Sequence, residues 1–586
     1  MLKTLMIVLS IAVVVPTPAA PISQDDPEAT DPGRKRISTA TGNAVVVTAN
    51  PLASKAGLAA LQAGGSAIDA LVSAQAVLAV VEPQSSGLGG GGFLLYWDAQ
   101  HQTLEAFDGR EVAPKRSQPT DLLSASGKPL PWREATSHPL AIGIPGTVGL
   151  LWDAHQHHGR LPWADTLTAA IELADAGFRP SPRFLRSLRF AQRLGTDHNP
   201  AFQALYLPGG QPPPADQRFR NPALARTLTT LAQDGGPAFY RGALAQQILQ
   251  EVNALQHPTN SNAKGWSPSD LSAYAVERRD PLCSVQLQHK ICTMPPPSSG
   301  GLGLLQTLAL LNQSTPLVGS TPSDPTVWGQ LGKAQAWADA DRLYWVRDPR
   351  DGSSHTDALL NPAYIQQRTK AMQNAKHATP GPGLPPGMDH YPFGQPEPSN
   401  EAGTTQITIV DTSGNIAVST ASVETVFGSR TLVAGMVMNN QLTDFAFQPT
   451  LRGRPVANRR LPGRRPNSSM APTLVFHQGQ PVLALGSPGG RTIPHLLSRV
   501  LLASLIWNAS PSQAVGLPHL SNRRGTLVLE NNPPLPWPVP VDAIQPDQQS
   551  RRRQSIGSGT ALIQRINGQW QGAADPRREG TALSWP

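Results

Sequence analysis

The chain has 586 residues, 15% of them charged and 39% hydrophobic, with 52 glycines and 59 prolines. The charged share lies well below the ~25% usual for soluble domains, and Gly plus Pro stays under the ~25% of low-complexity chains, which excludes a disordered polyelectrolyte and a coiled coil. The net charge is +8, but its arginine clusters (Arg452, Arg454, Arg459, Arg460, Arg464 and Arg465; Arg551, Arg552 and Arg553) lack the interleaved aromatic residues of a nucleic-acid surface, so no nucleic-acid partner is expected. Length alone suggests roughly four domain-sized units.

Lys3, the apolar run Leu5 to Val15 and the small residues Thr17 to Ala20 read as a secretory signal over residues 1–20, hence a secreted or periplasmic protein. The run is too short to span a membrane; an uncleaved anchor is the alternative. Residues 43–81 read as a strand and two helices. Ser66 with Asp69 three residues on resembles a capping box, and Ile68 to Val81 reads as a buried core helix. Gly87 to Gly92 has the spacing of a dinucleotide-binding loop. It follows a helix and precedes the strand-like Phe93 to Trp97, the reverse of the order such a loop needs, so a tight turn is expected. Residues 93–107 read as strands and 146–178 as helical. His155, His157 and His158 mark a polar helix end rather than a metal site, because no carboxylate sits at ligand spacing. Residues 181–280 read as helices with loops.

Cys283 and Cys292 are the only cysteines and flank a short alternating segment. A hairpin would place them face to face; in an oxidising compartment a disulfide follows, and two buried free thiols are the alternative. Helices are expected from about Gly301 to Leu311 and over 331–346. Pro380 to Pro398 reads as a long exposed loop. Alternation then begins abruptly: Thr404 to Ile409 and Asn415 to Thr420 read as a β-hairpin turning at Ser413-Gly414.

Ser298-Ser299-Gly300-Gly301 and Gly486-Ser487-Pro488-Gly489-Gly490 lack the G-x-S-x-G order of a nucleophile elbow. Gly403-Thr404 offers other chemistry. A threonine hydroxyl needs an adjacent base, and if Thr404 became N-terminal its own amine, titrating near about pH 8, would serve. Gly403 allows strained dihedrals at the bond to be cut. A threonine opening a strand is otherwise an ordinary β-former.

Ten segments, in order along nearly the whole mature chain, resemble the gamma-glutamyltranspeptidase family of N-terminal-nucleophile hydrolases. They are Asn50 to Ser54 with Gly64-Gly65; Val80 to Gly87; Asp108-Gly109-Arg110-Glu111; Gly143 to Gly146; Met294 to Gly301; Glu401 to Thr405; Asn439-Asn440-Gln441 with Asp444-Phe445; Arg465 to Met470; Gly486 to Gly490; and Asp575 to Arg578.

The resemblance implies an α+β fold, a four-layer αββα sandwich built from two subunits of one self-cutting precursor. The cut falls between Gly403 and Thr404, leaving a large subunit, 21–403, and a small catalytic subunit, 404–586, as a heterodimer. It implies Thr404 as nucleophile and base, Ser422 as a second hydroxyl, and the Gly489 and Gly490 amides as oxyanion donors. Arg110, Ser468 and Ser469 would bind the carboxylate of a γ-glutamyl group, and Asp444, Gln441 and Glu424 its ammonium. No metal or organic cofactor is implied. The expected activity is hydrolysis or transfer of γ-glutamyl groups to water, an amino acid or a peptide, with glutathione the default substrate. A glutaryl- or cephalosporin-type acylase or a poly-γ-glutamate hydrolase of the same family is the alternative, and a non-catalytic secreted binding protein of this fold is the second. Two departures bear on substrate: many members have Asn where this chain has Glu424, and the stretch from Asp444 to Ser468 is short and Arg-rich, which suggests an open, basic rim.

Overall fold

The computed structural model describes residues 36–196, 199–255, 265–375, 379–395, 403–523, 525–544 and 550–586. The signal expected over 1–20 lies outside these residues, as do Glu401 and Ala402.

Two antiparallel seven-stranded sheets form the centre. The first runs, in spatial order, Thr581–Trp585, Ala44–Thr48, Thr404–Val410, Ile416–Ser422, Gly91–Asp98, Thr103–Gly109 and Glu277–Arg279. The second runs Ser38–Gly42, Gln569–Ala574, Ala561–Ile566, Gln480–Gly486, Thr473–His477, His289–Thr293 and Leu282–Gln286. Strand alternation builds the layers. Val46 faces one core cluster with Ile407, Ile409 and the helices Pro51–Gln62 and Ala67–Val81. Val45 and Val47 face the other, with Leu483 and Leu485 of the second sheet. The helices Gly300–Ser314, Pro325–Trp345 and Ile493–Leu505 cover that sheet's far side and share the second cluster. Helix, sheet, sheet, helix is the αββα sandwich expected. It replaces the four units suggested by length, because each sheet draws strands from both ends of the chain.

All fifteen residues of the helix Ala67–Val81 are buried. Ser66 and Asp69 close the expected capping box: the Ser66 backbone N–H donates to Asp69 Oδ2 at 2.7 Å, and the Asp69 N–H to Ser66 Oγ at 3.3 Å. No helix among the described residues is long and apolar enough to cross a membrane. Cys283 and Cys292 lie opposite each other in the hairpin at the edge of the second sheet and form a disulfide.

Three segments owe their setting to tertiary packing. The alternating strand Thr404–Val410 has no solvent face: every residue is buried, and the polar side meets the second sheet, where Thr408 Oγ1 donates to the Ala561 carbonyl at 3.0 Å. The Pro-rich stretch, described up to residue 395 and outside the described residues from 396 to 398, is not simply exposed. The Gly383 N–H donates to Asp341 Oδ1 at 2.7 Å, Trp345 Nε1 donates to the Gly383 carbonyl at 3.0 Å, and Phe393 is buried against Tyr344 and Trp345. Arg551 to Arg553 lie in the strand Ser550–Gln554, which pairs in parallel with Thr526–Glu530.

Candidate active site

Thr404 opens a central strand of the first sheet, directly opposite Ser422. Alternation puts it on the face of Gln406 and Thr408, toward the space between the sheets. Gly403 precedes it at φ +101°, and a Cβ there would lie 2.5 Å from the Glu424 carbonyl oxygen, so the position admits only glycine. Ser422 Oγ donates to the Gly403 carbonyl at 2.7 Å and accepts from the Glu424 N–H at 2.8 Å. Glu424 holds φ +80°, a conformation costly for a residue with a side chain. Arg578 Nη1 donates to the Thr404 carbonyl at 2.5 Å. A hydroxyl donor therefore sits on the Gly403 carbonyl oxygen, where negative charge builds when a hydroxyl attacks that carbonyl.

The Asp575–Arg578 turn is itself anchored. Arg577 donates to both oxygens of Glu530, at 2.5 and 2.7 Å, and to Asp575 at 3.1 Å. Burial disfavours a charged Asp575, but Arg577 and His519 beside it hold its carboxyl far below the usual range. The glycine turn after the strand Gln480–Gly486 lies over the same region. A Cβ at Gly486 would collide with the Gln406 amide, two residues from Thr404, and Gly489 and Gly490 hold φ +137° and +54°.

Arg110 and Asp444, expected to hold opposite ends of a zwitterion, pair with each other. Arg110 Nη2 donates to Asp444 Oδ2 at 2.5 Å and also to the Asn467 carbonyl, and Gln441 Nε2 donates to the same Asp444 oxygen at 2.8 Å. Glu424 Oε2 accepts from Asn440 Nδ2 at 2.8 Å. Below them Arg465 bridges to Asp108 at 2.7 Å. Glu111 is fully buried, 3.8 Å from Arg110 Nη1. Burial pushes its carboxyl up to about 8 despite the neighbouring guanidinium. Arg460 and Arg465 are buried as well, so the Arg-rich stretch contributes less surface charge than its composition suggests.

Ser468 and Ser469 are docked by the Met294–Gly301 segment. The Ser299 N–H and Oγ donate to the Ser468 carbonyl at 2.7 and 2.9 Å, and Ser298 Oγ donates to the Met470 carbonyl at 2.6 Å. Ser469 Oγ accepts from Arg342 Nη1 at 2.9 Å. Sequence reasoning missed Arg342 and Asn440 as site residues. Asn440 lies in the Asn439-Asn440-Gln441 segment, directly before Gln441; Arg342 carries no local signal, lying 127 positions from Ser469.

Gly89 and Gly90 form a tight turn against the Val437 and Ser422 carbonyls. His155 and His158 contact Asp69 and Glu105 at 3.3 and 2.8 Å. Among the described residues no group of three or more His, Cys, Asp or Glu side chains is placed to hold a metal.

The model of the family "Gamma-glutamyltranspeptidase" matches residues 53–585. The chain is 30% identical to a glutathione hydrolase proenzyme of Bacillus subtilis strain 168, over 99% of this chain and 97% of that one. It is also 30% identical to an acylase, the ACY 1 proenzyme of Pseudomonas sp. strain V22, over 93% and 94%. Among solved structures, a cephalosporin acylase from Bacillus halodurans superposes with a TM-score of 0.80 at 23% identity, covering 98% of this chain and all of the other. The Helicobacter pylori gamma-glutamyltranspeptidase matches with a TM-score of 0.52 at 29% identity, over 55% of this chain and 90% of that one. On the fold, the matched length and these relatives, the chain belongs to the gamma-glutamyltranspeptidase family of N-terminal-nucleophile hydrolases, enzymes of amide hydrolysis and acyl transfer.

Proposed function

We propose that the precursor cuts itself between Gly403 and Thr404, and that the mature protein is an acylase cleaving amides of short acyl groups that end in a carboxylate, of the glutaryl type. In this mechanism the Thr404 amine takes the proton from its own Oγ, which attacks the amide carbon. The Gly489 and Gly490 amides meet the oxyanion. The departing amine takes the proton, an acyl-threonine ester remains, and water or a second amine releases the acid or the new amide. Ser468, Ser469 and the Nη1 edge of Arg110, the one nitrogen of that guanidinium not engaged by Asp444, Asn467 or Pro466, hold the distal carboxylate. The observation that carries the acylase reading is the state of Asp444. Its Oδ2 accepts from both Arg110 and Gln441, so its charge is offset within the protein and little of it is left for a substrate ammonium. The acylase relative at 30% identity supports the same reading.

A second reading, γ-glutamyl hydrolysis or transfer with glutathione as substrate, is favoured by the acidic pair Asp444 and Glu424, which suits an ammonium. Turnover of a glutaryl anilide against a γ-glutamyl anilide separates the two. Rates within about threefold support the acylase; a preference above about 100-fold for the γ-glutamyl compound, worth roughly 3 kcal/mol, establishes the second reading in its place. Self-cutting is checked separately. On a denaturing gel wild type should give two bands, the smaller starting Thr-Thr-Gln-Ile, and Thr404→Ala should stay whole. Scission of Thr404→Ala at the same bond would remove Thr404 as the nucleophile.

A further inference from the structure

The helix Pro325–Trp345 lies outside the strands that carry the reacting groups, yet one of its side chains reaches two loops of the site. Arg342 is fully buried, and its guanidinium hydrogen-bonds on every side. Nε donates to Asp339 Oδ1 at 2.6 Å, Nη1 to Ser299 Oγ at 2.8 Å and to Ser469 Oγ at 2.9 Å, and Nη2 to the Arg491 carbonyl at 3.0 Å. The neighbouring helix makes room for it: a Cβ on Gly303 would lie 2.5 Å from Arg342 Cδ. Asp339 is held in turn by His495, whose Nε2 lies 3.2 Å from the same carboxylate oxygen, and His495 Nδ1 contacts Ser521 Oγ at 2.7 Å.

This geometry constrains one hydroxyl. Ser469 Oγ accepts from a guanidinium, so its own proton turns away from Arg342 and Ser469 acts as a donor. Asp339 offsets the arginine's charge and fixes its rotation. A planar fork is required, because one side chain must meet Ser299, Ser469 and Arg491 together.

We propose that Arg342 is a positioning residue that orients the Ser469 hydroxyl toward the carboxylate of the acyl substrate, and so sets the preference for carboxylate-ended acyl groups from the large-subunit side of the cut. The inference rests on the placing of that carboxylate at Ser469 in the function proposed above.

The test compares a γ-glutamyl anilide with a 4-aminobutyryl anilide, which differ only in the carboxylate. Arg342→Lys keeps the charge and loses the fork. It should lower kcat/KM for the γ-glutamyl compound about 10-fold, mainly through KM, and change the other compound by less than about threefold. In a Ser469→Ala background the same change should have little further effect on the γ-glutamyl compound, since the hydroxyl it orients is gone. Equal losses on both substrates, or additive losses in the double variant, would overturn the proposal while leaving the acylase reading intact. If Arg342→Lys does not accumulate as folded, Gly303→Ala displaces the same side chain from behind and should give the same selective loss; an equal loss there overturns the proposal too. Wild type that shows no preference for the carboxylate-bearing anilide would remove the carboxylate site itself, and this inference with it.

Discussion

Gly403 shows what a single residue decides. Its φ of +101° and the close Glu424 carbonyl leave no place for a side chain. Gly403→Ala should therefore slow self-cutting at least about 10-fold, read as the half-life of the uncut band, because the carbonyl loses its alignment with Ser422. Ser422→Ala should slow it similarly by removing the donor on that carbonyl. Glu111 decides something different. Burial raises its carboxyl from the ordinary 4.5 to about 8. A carboxyl that keeps its proton longer folded than unfolded makes the folded state lose ground as pH rises between those two values, and not beyond. Glu111→Gln should remove that decline, measured as Tm against pH from 4 to 9. A decline of equal size in the variant would assign the effect to another group.

At the scale of elements, the disulfide joins two strands at the edge of the second sheet, a place where hydrogen bonds open easily. Cys283→Ala with Cys292→Ala should speed hydrogen exchange at the amides of His289–Thr293 and leave self-cutting and turnover unchanged, since the hairpin sits at the edge of one sheet and Thr404 in the middle of the other. Changed turnover would mean that the hairpin communicates with the site. The Met294–Gly301 segment and the Pro325–Trp345 helix act the other way. They come before the proposed cut in sequence and hold the Ser468–Met470 loop that follows it.

At the scale of the whole molecule, the sheet order implies that the proposed scission would not separate the pieces. Strands from both sides of Gly403 pair within each sheet: Ala44–Thr48 lies between Thr581–Trp585 and Thr404–Val410, and His289–Thr293 pairs with Thr473–His477. The two fragments should run as one species in native size-exclusion chromatography and part only in denaturant. Their separation in native buffer would contradict the interleaved sheets.

Much of this was legible in the linear sequence. The capping box at Ser66, the cysteine hairpin, the glycine turn before Phe93 and the strand opening at Thr404 are local patterns, set by spacing and dihedral preference. Other features were not legible, for a common reason. Burial of the polar face of Thr404–Val410 depends on a second sheet lying across it, and the anchoring of the Pro-rich stretch depends on Asp341 and Trp345 from a distant helix. The pairing of Arg110 with Asp444 joins residues 334 positions apart, and the seat of Ser469 is closed by an arginine with no local signature. By itself the sequence determined the family, and it pointed to the bond proposed for scission and to the elements that carry it, because those depend on neighbours along the chain. Only the tertiary structure decided which charges neutralise one another and which hydroxyls are oriented, because a buried charge takes its meaning from whatever the fold brings within hydrogen-bond reach.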